Sequence, residues 1–368
     1  MAPDEAFGVY VHVPFCAKRC DYCAFATYTD RDHLMERYVA ACVTELHRAY
    51  STQDVPCATS VFFGGGTPSR LAPEDLARIL AAIQRTMGAE VTVECNPEDA
   101  TVERLCAYRA AGVTRLSFGI QSTAPHVLSD LGRRHRAEPL ARLAAMVATA
   151  GFDTWNLDLI FGAATETDED WERTLADAVT SGAPHVSAYA LTVEPGTPLA
   201  ADERRHPTDD VSARRYERAE AVLTAAGYSW EEISNWCLPG HGCRHNRLYW
   251  DQGDYLGVGS AAHSHRAGRR WWNVRTPDRY VAAVEAGRTA VAGTEVLSDE
   301  QQAFERLALS LRTPAGVPDD ALPESPELSG LVERHDGRCV LTVRGRLLAN
   351  SLTARLSVAA DRPTILRP

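Results

Sequence analysis

The sequence predicts an α/β fold: an incomplete (β/α)6 barrel with a small winged-helix-like α+β domain at its C-terminal end. Two observations predict it. Short runs rich in Val, Ile, Leu and aromatics alternate with longer amphipathic stretches over the first two thirds of the chain, and this alternation stops near Leu297.

Strands are expected at Val9 to Val13, Ser60 to Phe63, Val91 to Cys95, Arg115 to Ile120, Thr154 to Phe161 and Val186 to Leu191. Helices are expected at Leu34 to Tyr50, Pro73 to Met87, Val102 to Ala111, Pro139 to Ala150 and Asp170 to Ser181. Pro73, Glu74 and Asp75 suit a first helical turn, where a missing N–H costs nothing and acids meet the dipole. Gly112, Gly151 and Gly182 stand where left-handed caps are wanted. Successive parallel strands with right-handed crossovers curl towards a barrel, and six units leave it open on one side.

A seventh helix, Asp209 to Ala226, leads into an aromatic and glycine-rich region containing HNRLYW and YLGVGSAAHS. Beyond Leu297 follow a helix (Asp299 to Leu311), a Pro-rich turn, the hairpin-like VERHDGRCVLTV and a last helix (Arg344 to Arg355). The expected divisions are 1–235 for the barrel, 236–296 for its extension and 297–368 for the C-terminal domain.

Composition narrows the function. The chain has 368 residues, 45% hydrophobic and 24% charged, which is ordinary for a globular protein and excludes disorder as the main state. A formal net charge of −11 argues against nucleic acid as a partner. No apolar run approaches the roughly 20 residues of a membrane span, and MAPDEAFGVYVHV lacks a basic n-region and a small-residue cleavage site. A cytoplasmic location is expected, with peripheral membrane contact left open.

Ten cysteines in a long chain without an export signal are expected to be reduced. Seven (Cys42, Cys57, Cys95, Cys106, Cys237, Cys243 and Cys339) are scattered singly, as small buried hydrophobes are. The other three form YVHVPFCAKRCDYCAF, with Cys16, Cys20 and Cys23 at C-x3-C-x2-C spacing in a loop directly after the first strand. Closely spaced thiolates in a loop can converge on an iron–sulfur cluster. Zinc is the runner-up, but a closed zinc site wants four ligands and no second pair stands nearby. Three ligands on a four-iron cluster leave one iron open to a ligand.

That motif, with Tyr22 just before the third cysteine, resembles the radical-SAM superfamily. The resemblance implies a [4Fe-4S] cluster on Cys16, Cys20 and Cys23. S-adenosylmethionine would chelate the open iron through its amino and carboxylate groups and be cleaved to a 5′-deoxyadenosyl radical by an electron donor such as flavodoxin or ferredoxin. Consecutive glycines in FFGGGTPS permit close backbone approach to a ligand. Gly65, Gly66 and Thr67 match the GGGTP form of the oxygen-independent coproporphyrinogen oxidase branch. Polar residues at strand ends, where β/α barrels carry their chemistry, are Glu94, Gln121 and Asp158, followed by Ala190. The resemblance implies that these positions touch ribose, adenine or methionine, that Arg133 binds a carboxylate, and that Tyr10 and Tyr22 contact the cofactor.

Within that branch the resemblance covers nearly the whole chain and narrows to two relatives, oxygen-independent coproporphyrinogen III oxidase and the HemW family of haem chaperones. The oxidases carry a fourth cysteine two places after the third and a longer leader; here Phe25 stands at that position and little precedes Tyr10. CRHNRLYW holds the H-N-x-x-Y-W pattern of the chaperones, so His245, with Asn246, Tyr249 and Trp250, is expected to bind haem, and His263 and His265 are weaker candidates. A haem chaperone that hands haem to an acceptor protein leads, ahead of the decarboxylating oxidase and of a radical-SAM enzyme on another substrate.

Overall fold

The computed structural model describes residues 6–52, 54–133, 139–322 and 324–360. Six parallel strands form its centre: β1 (Phe7–Val13), β2 (Ala58–Gly65), β3 (Arg85–Cys95), β4 (Arg115–Gln121), β5 (Thr154–Phe161) and β6 (His185–Ala190), in that spatial order. Helices α1 (Met35–Thr52), α2 (Pro73–Ala81), α3 (Val102–Ala111), α4 (Pro125–Asp130), α5 (Leu140–Thr149) and α6 (Asp168–Thr180) connect them. Strand residues such as Val9, Val11, Val61, Val93, Leu116 and Leu157 are fully buried, as parallel strands between covering layers must be.

Local chemistry fixes the boundaries. Thr167 and Asp170 form a reciprocal capping box on α6, and the Thr101 hydroxyl accepts the Arg104 N–H at the start of α3. Gly112, Gly151 and Gly182 adopt φ of 101°, 77° and 75°, the left-handed conformation expected of them.

The sheet extends past both edges of the parallel core. After α7 (Asp209–Ala225), β7 (Ser229–Glu232) and β8 (Asn235–Cys237) add antiparallel to β6. After α8 (Arg244–Trp250), β9 (Asp254–Val258) pairs parallel to β1, and β10 (His263–Arg266), β11 (Arg269–Asn273) and, past α9 (Pro277–Glu285), β12 (Val291–Val296) follow antiparallel. The twelve-stranded sheet runs from β12 to β7 and these edge strands do not pair among the described residues. The expected open barrel is therefore present, with a larger extension than six β-α units imply.

The C-terminal segment comprises α10 (Asp299–Ser310), a small sheet of β13 (Val317–Pro318), β14 (Val332–His335) and β15 (Arg338–Leu341), and then α11 (Val343–Leu347) and α12 (Ala349–Ala360). It has its own apolar cluster, including Leu311, Val317, Cys339, Leu341 and Leu352. Arg346 joins it to the barrel by donating to Glu220 at 2.6 Å and lying 3.7 Å over the Trp230 ring.

Three expectations need correction. The helix expected over Pro73 to Met87 ends at Ala81, because Arg85 pairs with Ala58 and sheet pairing overrides local periodicity. The last helix is broken at Leu348, where α11 stops. Of the scattered cysteines, Cys57 and Cys106 are exposed and Cys237 is half-buried, so only Cys42, Cys95, Cys243 and Cys339 are core residues.

Candidate functional site

The cysteine loop leaves β1 and is pinned by the backbone. The Cys16 N–H donates to the Tyr28 carbonyl at 3.0 Å, Tyr28 N–H to Pro14 at 2.8 Å, and Asp21 N–H to Leu131 at 3.2 Å. Cys16 is buried, Cys20 and Cys23 half-buried. Burial raises the pKa of the Cys16 and Cys20 thiols; the Thr67 hydroxyl opposes it at Cys16 and the Arg133 charge at Cys20. Metal binding would therefore have to displace protons. Among the described residues no three His, Cys, Asp or Glu side chains surround a single-ion position. Three thiols that sense one another from separate positions suit the corners of a cluster.

The glycine loop packs under this one. Gly65 has φ of 110°, and a Cβ there would meet the His12 ring at 2.4 Å. A Cβ on Gly66 would lie 2.7 Å from the Val13 carbonyl oxygen, so both positions require glycine. Thr67 Oγ1 reaches Cys16 Sγ at 3.5 Å and accepts from Asn96 at 3.5 Å.

Arg133 is the most informative neighbour. Its guanidinium donates to Asn96 Oδ1 at 3.0 Å and to the Tyr22 hydroxyl at 3.4 Å, both neutral, and its Nε is buried without a partner. Burial works against its charge, yet Tyr22 and Cys20 hold its pKa above the ordinary arginine value. A buried cation whose hydrogen-bond partners are neutral side chains is well placed to take a ligand carboxylate as well. Gln121 approaches the same place: a Cβ on Gly119 would lie 2.9 Å from Gln121 Nε2 and 3.2 Å from Arg133 Nη2. The Gln121 backbone sits at φ 66°, beside a register shift in the β4–β5 pairing, a conformation that non-glycine residues hold only under constraint.

Glu94 and Asp158 meet at the strand ends in an inner chamber of about 170 Å³, lined also by Tyr10, Asn246 and His245. Glu94 accepts the Gly65 N–H at 3.1 Å, and Asp158 accepts from Ser117 and Asn156, each at 2.9 Å. Burial, with the Asp158 charge second, pushes Glu94 up to about 8. Two acids here suit hydroxyl, amine or sulfonium groups of a ligand. Tyr10 donates to His12 Nδ1 at 3.2 Å. Ala190 stands exposed at the end of β6, its carbonyl accepting from Thr192 at 3.3 Å.

His245, expected to bind haem, sits on α8 against β2. Its ring is fully buried, Nδ1 is 2.9 Å from Ser60 Oγ and Nε2 is 2.9 Å from the Tyr249 hydroxyl. Burial pushes it down to about 3. In this conformation neither nitrogen is free for a metal.

Sequence reasoning missed His12 and Asn96. His12 Nε2 meets the Ala26 carbonyl at 3.0 Å, tying β1 to the far end of the cysteine loop, and Asn96 bridges Thr67 and Arg133. The signal for His12 was its place in VHVPFC, two residues from Tyr10 on one strand face.

A family model described as the Radical SAM superfamily matches residues 10–178. The chain is 43% identical to a protein of Mycobacterium tuberculosis named heme chaperone HemW, over 96% of this chain and 95% of that one. It is 31% identical to a Bacillus subtilis protein of the same name, over 94% and 97% of the two chains. Among solved structures it resembles coproporphyrinogen III oxidase (HemN) from Escherichia coli, with a TM-score of 0.83 at 22% identity over 96% of this chain and 91% of that one, a likeness of fold alone. With a relative this close over almost its full length, a radical-SAM match across the barrel and the loops just described, the chain belongs to the HemW family.

Proposed function

We propose that the chain is a haem chaperone that carries a [4Fe-4S] cluster on Cys16, Cys20 and Cys23, binds S-adenosylmethionine beside it, and passes haem to an acceptor protein. The buried Arg133 guanidinium, whose Nε has no hydrogen-bond partner, supports a carboxylate ligand next to the cluster loop, with Asn96 and Tyr22 holding it in place. Gly65 and Gly66 let the loop pack against the His12 ring and the Val13 carbonyl beneath the thiols, Thr67 reaches Cys16, and Tyr10, Glu94 and Asp158 line the chamber beyond, with Gln121 and Ala190 at neighbouring strand ends. Bound there, S-adenosylmethionine and the cluster supply radical chemistry once a flavodoxin- or ferredoxin-like donor delivers an electron. The protein's own part is to orient the ligand, exclude water and fix the thiolates.

Phe25, together with the HNRLYW segment, supports the chaperone over the oxidase. At the position where the oxidases place a fourth cysteine, this chain presents an aromatic ring that is 68% exposed. It therefore offers apolar surface where that branch offers a thiol.

The test uses anaerobically reconstituted protein in two parallel assays. Haem should bind at about one per chain, and coproporphyrinogen III should remain undecarboxylated with reductant and S-adenosylmethionine present. Multiple turnovers to protoporphyrinogen IX without haem binding would replace this reading with the oxidase.

A further inference from the structure

A second cavity, of about 570 Å³, lies between the end of the cysteine loop and the β9–β11 extension. It has more than three times the volume of the inner chamber and falls within the roughly 300–1,000 Å³ typical of small-molecule sites. Phe25, Tyr249, Tyr255, His263, His265 and Arg275 are among its walls.

Strand register builds one wall. His263 and His265 are two residues apart on β10 and therefore project to one face, opposite Trp272 and Arg270 of β11 respectively, with Tyr255 of β9 beside His265. The exposed His263 ring stacks on Trp272 with centroids 5.7 Å apart, and its nitrogens make no hydrogen bond among the described residues. His265 Nδ1 meets the Gly253 carbonyl at 3.0 Å, while its Nε2 is buried and unpartnered.

The remaining walls are mainly aromatic or cationic, with Gln252, Tyr10 and His12 among them. Phe25 is the exposed ring described above, and Tyr249 and Tyr255 meet edge-on with centroids 4.7 Å apart. Arg270 is already paired with Glu305 at 2.9 Å, whereas Arg275 is exposed and has no ion pair among the described residues. Flat aromatic surfaces, available imidazoles and a spare cation match a planar apolar ligand with a metal centre and acidic side groups.

We propose that this cavity seats haem, with His263 as the axial iron ligand, Phe25 and Tyr255 as apolar walls and Arg275 meeting a propionate. The proposal rests on the chaperone reading and moves the iron ligand from His245 to β10. His245 then acts as a positioning residue that holds Tyr249 in the cavity wall.

The full-length chain and its His263→Ala, His265→Ala and His245→Ala variants can be titrated with ferric haem by Soret absorbance and electron paramagnetic resonance. His263→Ala should lose the histidine-ligated spectrum and weaken binding by roughly tenfold or more, since even outer-shell partners of a metal carry that much affinity. His245→Ala should keep the histidine-ligated spectrum, and cluster iron should be the same in all. Metal-free protoporphyrin IX should bind wild type and His263→Ala alike, because only the iron bond has been removed. An unchanged haem spectrum and affinity in His263→Ala, or loss confined to His265→Ala, would overturn the assignment while leaving the chaperone reading in place. Failure of wild-type protein to bind haem at all would overturn both.

Discussion

Arg133 donates to the hydroxyl of Tyr22 at 3.4 Å, joining the end of α4 to the residue that immediately precedes the third cysteine of the cluster loop. This contact ties Arg133 to the cysteine loop. The same guanidinium is held by Asn96, so its orientation is set before any ligand arrives.

The first prediction concerns that arginine. Arg133→Met keeps bulk but removes the charge and the five donors, so S-adenosylmethionine affinity should fall by about 10- to 100-fold, the scale of losing a charge-assisted hydrogen-bond pair. Cluster content should be unchanged, because Arg133 is not a ligand. Titration of the reduced cluster, followed by the shift that the cofactor causes in its paramagnetic resonance spectrum, reads both quantities. Wild-type affinity in the variant would remove the carboxylate role.

The second concerns the thiols. Reconstituted protein should carry about four irons and four sulfides per chain, and Cys16→Ala, Cys20→Ala and Cys23→Ala should each abolish this content. Iron and sulfide analysis after desalting is the measurement. A full cluster in any one variant would show that the substituted residue is not a ligand.

The third is a pH dependence. Glu94 rises from 4.5 to about 8 on folding, so between those values the folded state binds more protons than the unfolded one. Stability then falls as pH rises through the window, by at most ~1.4 kcal/mol per pH unit from this group. Glu94→Gln removes the term. In chemical denaturation of the cluster-free protein, the variant should gain on wild type between pH 5 and pH 8, and parallel pH profiles would refute the buried-acid account.

Much of this architecture was legible because its determinants are local. Six buried strands, the left-handed glycines and the cysteine spacing each announce themselves within a dozen residues. The strands β7 to β12 did not, since runs such as SWEE, NWC and HSHR are short and polar, and only pairing against a sheet edge makes them strands. Nor could a sequence show that Arg133 is held by Asn96 and Tyr22, or that Phe25 and His263 share a cavity. His245 is the instructive case. Its motif was visible, while its two partners come from 185 residues away on β2 and from one turn further along α8.

The last prediction follows from those partners. His245 links Ser60 on β2 to Tyr249 on α8 and stacks on Phe62 with centroids 5.4 Å apart, so it ties α8 to the barrel wall. His245→Ala leaves a cavity and two hydroxyls without their partner, which should cost roughly 2–4 kcal/mol of stability at neutral pH. The deficit should depend on pH. The imidazole falls from 6.5 to about 3 on folding, so below 6.5 the unfolded state takes up a proton that the folded state refuses, and wild type loses stability as pH falls through that window. The alanine variant has no such group and should close part of the gap between pH 7 and pH 5. Denaturation curves of both proteins at the two pH values decide it. A gap that stays constant or widens on acidification would mean that the His245 ring already has access to water, and that its nitrogens are freer than the structure shows.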